Sequence, residues 1–496
     1  MKYYFQKKLD LKRCLTLIMM IAFFIVSCSE KISNTIKMDC QPKLWPDYIG
    51  VTIPKNIAPL NFSTENFDSL TQIKATIKTL DGTEYFFSGE NFISFDEKTW
   101  KEILQKSINQ EFQIEISEVK NSTEYVYKPF FIKVSEFEVD KYVSYRLLAP
   151  GYEIYSRMGI YCRNLENFDQ TTVVDNRLIN ANCLNCHSFK QGDTEFASLH
   201  IRGDLSATVL KKNGKIEICN PVTDKYKLNC VYPYWHPSGR FIAYSQNNTA
   251  QAFHCSSPNR VEVYDLKSRV VVYDTLENKL LTTKALNNDS TFTTEPAFSN
   301  DGKYLYFTTA KALDMAKHTQ EVRYDICRIE FNAKNGEFGK VDTLLKLSPD
   351  TLTAAFPRPS YDGKYLLYTK FNYGQFAIWH KEADLWMLNL KNGKTFALEK
   401  SNGKDADSYH SWSQNSRWII FESRRDDGFY TRLYIAFVNE DGTTEKAFMI
   451  PQKSPEDNRR LMLSYNVPEF STKEFKLNKA ELETKLKSKE KKQFKD

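Results

Sequence analysis

Cys183, Cys186 and His187 form the motif C-x-x-C-H, whose spacing predicts attachment of a c-type haem. Two thiols at this spacing can add to the two vinyl groups of one porphyrin, and the adjacent imidazole can then bind the iron as its proximal ligand. This chemistry needs all three groups on one short turn. We therefore expect one covalently bound haem c.

Two other interpretations of the motif stay open. The thiols of Cys183 and Cys186 could form a redox pair or a disulfide with a bystander histidine. They could also supply half of a zinc site, although no second C-x-x-C and no H-x-x-x-H in the sequence would complete it.

A haem iron needs a sixth ligand or an open coordination site. His200, thirteen residues after His187, is the first candidate for a distal ligand, and Met158 is the second. Two histidine ligands would suit electron transfer, whereas histidine with methionine would raise the reduction potential. The alternative for His200 is a turn histidine that is hydrogen-bonded to the backbone.

The first 28 residues predict export and lipidation. Basic residues precede an apolar stretch, residues 15–26, which is short for a membrane span. The stretch ends in Ile-Val-Ser-Cys, which resembles a bacterial lipobox with Cys28 as the lipidated first residue. The alternative is an ordinary secretory signal with a chance cysteine. Ser29 in place of aspartate is typical of lipoproteins sorted to the outer membrane, so we expect a lipid-anchored protein of the bacterial cell envelope.

Composition indicates a nearly neutral folded body. The whole chain has 68 Lys and Arg against 62 Asp and Glu, a formal charge of +6. Removal of residues 1–27 lowers that charge to +2, which argues against a nucleic-acid partner.

Among the remaining cysteines, we predict a Cys230–Cys255 disulfide, with buried free thiols as the alternative.

Four stretches of the C-terminal half share one outline: a short strand, a tight turn and an alternating apolar strand. Their turns contain Gly239, Gly302, Gly363 and Ser416, spaced 63, 61 and 53 residues apart. A strand–turn–strand unit repeated at this spacing predicts the blades of a β-propeller. We expect five or six blades, closed by residues 466–470 pairing with strands at 206–210 and 215–218.

The repeat outline P-x-(W/F)-S-P-D-G-(K/R) resembles that of TolB-type, WD40-like propellers over roughly residues 199–470. With the lipobox and C-x-x-C-H, the chain is similar to haem-motif, TolB-like lipoproteins of Gram-negative bacteria. This resemblance is specific for the fold and not for one role. His236 replaces the usual serine in the first copy. His236 and His410 lie on repeat loops, where we expect packing or hydrogen bonding near a propeller mouth.

The sequence thus predicts an all-β protein with six segments. A lipoprotein signal (1–27) and a linker (28–48) precede a small antiparallel β-sandwich (49–150) with one helix near residues 97–109. An irregular connector (151–198) carries the haem motif. The propeller (199–470) and a Lys-rich tail (471–496) follow, and we expect the Lys-rich run 485–495 to be solvated or weakly helical.

Three functions remain open at this point. The first is single-electron transfer by a haem-carrying propeller with an unidentified redox partner in the envelope. The second is a non-enzymatic scaffold that binds proteins or glycans. The third is an enzyme: the sequence contains no G-x-S-x-G of a propeller-linked hydrolase, whereas haem peroxidase chemistry stays open.

Overall fold

The computed structural model describes residues 32–64, 72–149, 157–257, 259–488 and 490–496, and of Cys186 only the backbone. The predicted signal segment 1–27 and the lipidation site Cys28 lie outside the described residues. In the described part, no helix is long and apolar enough to cross a membrane. As predicted, the chain is mostly β.

The N-terminal region contains one large sheet, one small sheet and a helix. Strands β1, β3, β5, β6, β8, β9 and β10 form the seven-stranded sheet, and β2, β4 and β7 form the three-stranded sheet. The pairs β1–β9 and β3–β10 are parallel, so the large sheet is mixed rather than antiparallel as predicted. The elements are β1 (Asn34–Lys37), β2 (Leu44–Trp45), β3 (Thr52–Pro54), β4 (Phe62–Thr64), β5 (Gln72–Lys78), β6 (Glu84–Glu90), β7 (Phe92–Ile93), α1 (Glu97–Lys106), β8 (Glu111–Lys120), β9 (Thr123–Val126) and β10 (Phe130–Ser135).

Helix α1 forms where the sequence predicts one and ends three residues earlier. Its N-cap is Asp96, whose carboxylate accepts a hydrogen bond from the backbone N–H of Thr99 at 2.9 Å. The buried residues Trp100, Ile103 and Leu104 lie three and four positions apart, on one face of the helix. They share a core with alternate residues of β5 and β8, so the helix covers one face of the large sheet.

Six further sheets follow, each of four strands except the second, which gains a fifth. The first contains β11 (Tyr142–Leu148), β12 (Met158–Asn164) and β13 (Gln170–Asp175), and the second β14 (Cys183–Lys190), β15 (Asp193–Arg202), β16 (Ala207–Lys212) and β17 (Lys215–Asn220). The third contains β18 (Cys230–Trp235), β19 (Phe241–Phe253), β20 (Val261–Asp274) and β21 (Lys279–Leu281), and the fourth β22 (Thr291–Phe298), β23 (Tyr304–Lys311), β24 (Asp325–Asn332) and β25 (Glu337–Leu345).

The fifth sheet contains β26 (Thr353–Pro359), β27 (Tyr365–Phe371), β28 (Asp384–Asn389) and β29 (Thr395–Ala397), and the sixth β30 (Asp407–Trp412), β31 (Trp418–Ser423), β32 (Arg432–Phe437) and β33 (Phe448–Met449). The chain then returns to the first sheet with β34 (Ser464–Ser471), and β35 (Lys492–Gln493) joins the second. The described residues contain three further α-helices: α2 (Met315–His318), α3 (Glu456–Arg460) and α4 (Lys479–Lys487).

The six sheets form a ring, which is the β-propeller fold. The innermost strands β34, β14, β18, β22, β26 and β30 each contact the next, and β30 contacts β34 again. A twisted sheet with two apolar faces cannot bury both alone, so neighbouring sheets must stack. Strand β34 pairs antiparallel with β11, and this pairing of distant segments closes the ring.

The connector and the closure of the ring differ from the predicted organisation. Residues predicted as an irregular connector form β12, β13, β14 and part of β15, so the ring begins at residue 142 rather than 199. The closing strand β34 pairs with β11, not with residues 206–218. Alternating hydrophobicity marks a strand but does not identify its partner when the two are more than 300 residues apart.

The C-terminal segment contains helix α4, in line with the helical alternative, and it is packed against the ring rather than solvated. Phe475, Leu482 and Leu486 are buried in one core with strands of the first two sheets. The Phe494 ring stacks on Tyr273, with 3.7 Å between ring centroids. The lysines lie on the outer side of this segment, which is why its charge suggested a free tail.

Candidate functional site

Each innermost strand of the ring has a break in its pairing register at the same level, and β14 has a second break after Phe189. The breaks fall after Asn185 in β14 and at residues 232–233, 295–296, 356–357, 409–410 and 467–468 in the other five strands. Five residues there have positive φ, between 46° and 55°, as bulged strands allow: Tyr232, Glu295, Phe356, Tyr409 and Val467. Four of the five line cavities on the axis of the ring.

The C-H pair of the haem motif lies at this same break. Cys186-His187-Ser188-Phe189 aligns with Tyr409-His410-Ser411-Trp412, and proline occupies the histidine position in the other four strands. Proline has no N–H to donate to a ladder, which is why it is tolerated at a bulge. The motif is therefore also a copy of the propeller repeat. The four predicted repeat copies do not include this one, although the similarity of C-H-S-F to Y-H-S-W is visible in the sequence.

Two connected cavities lie along the axis. We call the first the inner chamber; it measures about 70 Å³. The second, the mouth chamber, measures about 320 Å³. Tyr232, Tyr409 and Val467 line both, so the chambers adjoin. The residues that distinguish the inner chamber are His187, Tyr234, Arg358, Tyr361, His410 and Glu469, and those that distinguish the mouth chamber are Arg146, Met158, Cys183, Arg202, Gln375 and Trp379.

Two histidines face the inner chamber with one ring nitrogen free of hydrogen bonds. His187 Nε2 has no partner, and a hydrogen bond to the backbone of Ser144 engages the ring's other nitrogen. His410 Nδ1 has no partner, while Nε2 is bonded to the carbonyl of Phe356 at 2.8 Å. Burial lowers the pKa of His187 to about 4 and that of His410 to about 3, so both imidazoles are neutral at pH 7.

Glu469 and Arg358 complete the polar lining of the inner chamber. The Glu469 carboxyl accepts a hydrogen bond from the backbone N–H of Phe189 at 2.9 Å. Burial raises the pKa of Glu469 to about 8, so this group is protonated at neutral pH. The Arg358 guanidinium lies over the Tyr234 ring, 5.4 Å from its centroid, and supplies the chamber's positive charge.

The mouth chamber combines aromatic walls with unpartnered polar atoms. Arg146 Nε, Asn247 Oδ1 and Gln375 Oε1 are buried and make no hydrogen bond. Trp379 and Phe376 supply apolar surface. Apolar walls with a few convergent polar groups are typical of small-molecule sites.

The third sheet supplies one wall of this chamber. Strands β19 and β20 form a long hairpin that extends past the other strands of their sheet. Its residues Asn247, Thr249, Phe253 and Val263 line the mouth chamber. Near the end of the hairpin, Glu262 Oε2 lies 3.6 Å from Nε2 of His380, which lies between β27 and β28, so this contact connects the hairpin to the fifth sheet.

Some features of the motif fit haem c. His187 presents a free Nε2 to the axis while its other nitrogen is held by the backbone, the usual arrangement of a histidine ligand. Cys183 is a free thiol that lines the mouth chamber next to Met158.

Other features do not fit haem c. The three motif residues lie along strand β14 rather than on one short turn, which separates the backbones of Cys183 and His187 by about 13 Å at the usual rise per residue. Cys183 and His187 face different chambers, and the inner one is far below the roughly 300 Å³ at which small-molecule pockets begin. In the described conformation the motif does not fit a covalently bound haem.

The remaining predicted site residues are not brought to His187. His200 lies in β15, opposite Asn185, and lines neither chamber; its Nδ1 is 3.3 Å from Thr208 Oγ1. Met158 lines the mouth chamber, where its sulfur accepts the Leu184 N–H at 3.2 Å. Its side chain therefore lies at the mouth chamber with Cys183, and not at the inner chamber with His187.

Of the other cysteine and histidine predictions, one is wrong and the others agree fully or in part with the structure. Cys230 and Cys255 are free, so the predicted disulfide is wrong: Cys230 is buried beside Gln246, whereas Cys255 is exposed near the end of the long hairpin.

His236 is hydrogen-bonded as expected: its Nδ1 lies 2.8 Å from Ser238 Oγ in the same turn, and its Nε2 lies 3.1 Å from the Gly302 carbonyl oxygen in the turn of the next sheet. His410 lies in strand β30 rather than on the predicted loop. In the described part of the chain, no group of three or more His, Cys, Asp or Glu side chains could hold a metal ion.

Comparison with known proteins adds little to this geometry. No family model and no curated protein matches the chain. Among solved structures, a hypothetical selenium-binding protein from Sulfolobus tokodaii has a TM-score of 0.38 at 10% identity, covering 73% of this chain and 76% of that one.

Two other solved structures are comparable. Prolyl oligopeptidase B from Galerina marginata has a TM-score of 0.35 at 11% identity, covering 62% of this chain and 44% of that one. The periplasmic gluconolactonase PpgL from Pseudomonas aeruginosa has a TM-score of 0.34 at 12% identity, covering 65% and 99%. We draw nothing about chemistry from neighbours this distant, and the propeller assignment rests on the ring of sheets.

Proposed function

We propose that this protein is a binding protein: a six-bladed, TolB-like propeller that holds a small molecule in its axial channel. The observation that carries the proposal is the pair of adjoining chambers, whose lining residues include six buried polar atoms without a hydrogen-bond partner: the five named above and Ser411 Oγ. A buried polar atom without a partner costs about 1–3 kcal/mol, so six of them together are expected where a ligand satisfies them.

The blade count follows from the same ring. Each of the six sheets contributes one innermost strand to the channel, and β34 completes the first sheet. Six is thus the higher of the two counts that the sequence allows. The extra β-domain before residue 142 packs against the sixth sheet through Trp418, whose Nε1 donates to the Phe137 carbonyl at 3.2 Å.

Two fluorescent probes test the proposal. N-phenyl-1-naphthylamine is neutral, and 8-anilinonaphthalene-1-sulfonate has the same rings with a sulfonate; both become brighter in an apolar site. We expect at least one to bind with one-to-one stoichiometry. The substitution Val263→Trp, which adds an indole to the mouth chamber from the long hairpin, should weaken binding about tenfold or more.

The matched control is Val341→Trp, because Val341 is 39% exposed on β25 and lines neither chamber. It should leave probe binding unchanged. If neither probe binds, or if the two tryptophan variants behave alike, the proposal is wrong.

A haem-binding propeller is the second candidate function, and the free Nε2 of His187 favours it. Cys183 and Cys186 would hold the porphyrin through thioethers and His187 would bind the iron, supplying one-electron chemistry. Because the motif in its described form does not fit, strand β14 would have to change conformation. Expression with a c-haem maturation system, followed by haem staining of the denatured protein, tests this candidate. Staining lost in Cys183→Ala and kept in Cys230→Ala would support it; an unstained wild type would exclude it.

The cellular location is a separate proposal. Lipidation at Cys28 would anchor the protein in the bacterial envelope, as the lipobox indicates, with protein partners that stay unidentified. Replacing Cys28 by alanine should move the protein from the membrane fraction to the soluble fraction. Unchanged membrane association would contradict the lipid anchor.

A further inference from the structure

The mouth chamber carries positive charge that its own lining does not balance. Arg146 and Arg202 both line it, and no carboxylate does among the described residues. Glu422, whose charge interacts with that of Arg146, lies outside the lining and accepts a hydrogen bond from the Val467 N–H. Burial raises the pKa of Glu422 well above its ordinary value, which disfavours its charged form and makes it a weak counter-charge for Arg146.

The two arginines are held differently. The Arg146 terminal nitrogens are occupied, with Nη1 donating to the Leu184 carbonyl at 2.8 Å and to Asn185 Oδ1 at 3.0 Å. These bonds fix the guanidinium and leave Nε unpartnered. Arg202 is the last residue of β15, paired with Cys183, and is half-buried at the chamber wall. One arginine is thus a positioned donor and the other a side chain with freedom to approach a ligand.

Two acceptors and an aromatic wall face the same space. Gln375 is only 2% exposed, and its Oε1 has no partner. Asn247 Oδ1, on the long hairpin, is likewise unpartnered. Trp379 and Phe376 supply the apolar wall. A ligand that satisfies this lining has an anionic group, at least one hydrogen-bond donor and an apolar body.

We infer that the mouth chamber selects an amphipathic anion, a small carboxylate, sulfonate or phosphate ester with an apolar body, through Arg202 and Arg146. This inference rests on the proposed binding function and adds the chemical class of the ligand. The charge comes from strands β11 and β15, and the C-x-x-C-H segment serves here only to position Arg146, through Leu184 and Asn185.

The test compares the two probes, which differ by one sulfonate and share an N–H donor. The charge-assisted hydrogen bond should make 8-anilinonaphthalene-1-sulfonate bind at least tenfold more tightly than N-phenyl-1-naphthylamine. Arg202→Gln should remove most of that preference while leaving affinity for the neutral probe within about twofold, which also shows that the variant is folded.

The control is Arg177→Gln, because the Arg177 side chain is 84% exposed, pairs with Asp175 and lines neither chamber. It should keep the full preference for the sulfonate. Equal binding of both probes by the wild type would overturn the anion class while leaving the binding function intact. A preference for the sulfonate probe that persists in Arg202→Gln would overturn the assignment to Arg202. Failure of both probes to bind would overturn both proposals.

Discussion

Replacing the buried Glu469 by glutamine should change how stability depends on pH. The carboxyl faces the inner chamber and accepts one backbone hydrogen bond, from Phe189. Its pKa is about 8 in the folded protein against 4.5 ordinarily, because burial disfavours the charged form. The folded protein therefore binds one more proton than the unfolded chain between about pH 4.5 and pH 8.

The direction in which stability changes with pH follows from proton linkage. A group whose pKa is raised by folding stabilises the protein at low pH, and this contribution is lost as the pH rises through the folded pKa. The loss is about 1.4 kcal/mol per pH unit. Glutamine can keep the hydrogen bond from Phe189 but does not titrate. The stability of Glu469→Gln relative to the wild type should therefore rise by about 4 kcal/mol between pH 5 and pH 8.

Urea unfolding at pH 5, 6, 7 and 8 measures this difference. Glu115→Gln is the matched control, since Glu115 is exposed on β8 and its replacement should leave a difference that is flat with pH. A flat or falling difference for Glu469→Gln would refute the reasoning that places a neutral carboxyl on the channel axis.

Two further predictions concern contacts that join distant parts of the chain. Phe494→Ala removes a 2% exposed ring stacked on Tyr273, so it should lower the free energy of unfolding by about 3 kcal/mol and expose the C-terminal residues to protease. The control Phe131→Ala, at a 47% exposed residue, should lower that free energy by less than about 0.5 kcal/mol. Urea unfolding and limited proteolysis measure both variants, and equal losses of stability would contradict the packed tail. Burial opposes protonation of His380, but hydrogen bonds and charges from Glu262 and Glu382 outweigh it and raise the pKa of His380 above 6.5. The stabilising contribution of this imidazolium is complete below about pH 6.5 and is lost as the pH rises through the folded pKa. The wild type should therefore be more stable than His380→Gln at low pH, and this difference should become smaller as the pH is raised. A difference that grows with pH would contradict the ion pair.

Much of the fold could be predicted from the sequence because four repeat copies share a conspicuous turn. The turns at Gly239, Gly302 and Gly363 have positive φ, which glycine adopts without strain, so each marks its blade. The copy in β14 lacks the Asp-Gly turn, and its Cys and His residues indicate haem chemistry instead of a blade. The lysines of the C-terminal segment indicate a solvated tail, whereas its few apolar residues pack.

The site was predictable only in part. Sequence singled out Cys183 and His187, and the structure places both on the axis of the ring. Nothing in the spacing of Arg146, Arg202 and Gln375 could show that they meet, because strands of three different sheets supply or flank them. Such convergence depends on how the ring closes, and β34 closes it from the far end of the chain.

The most direct test of the account is the mass of the intact protein purified from its own host, measured under native and then denaturing conditions. The account predicts a bound small molecule that native conditions preserve and denaturation releases. A mass equal to polypeptide and acyl groups in both conditions would contradict a ligand in the channel. An added mass of one haem that survives denaturation would contradict it too, and would show that β14 rearranges to attach a porphyrin.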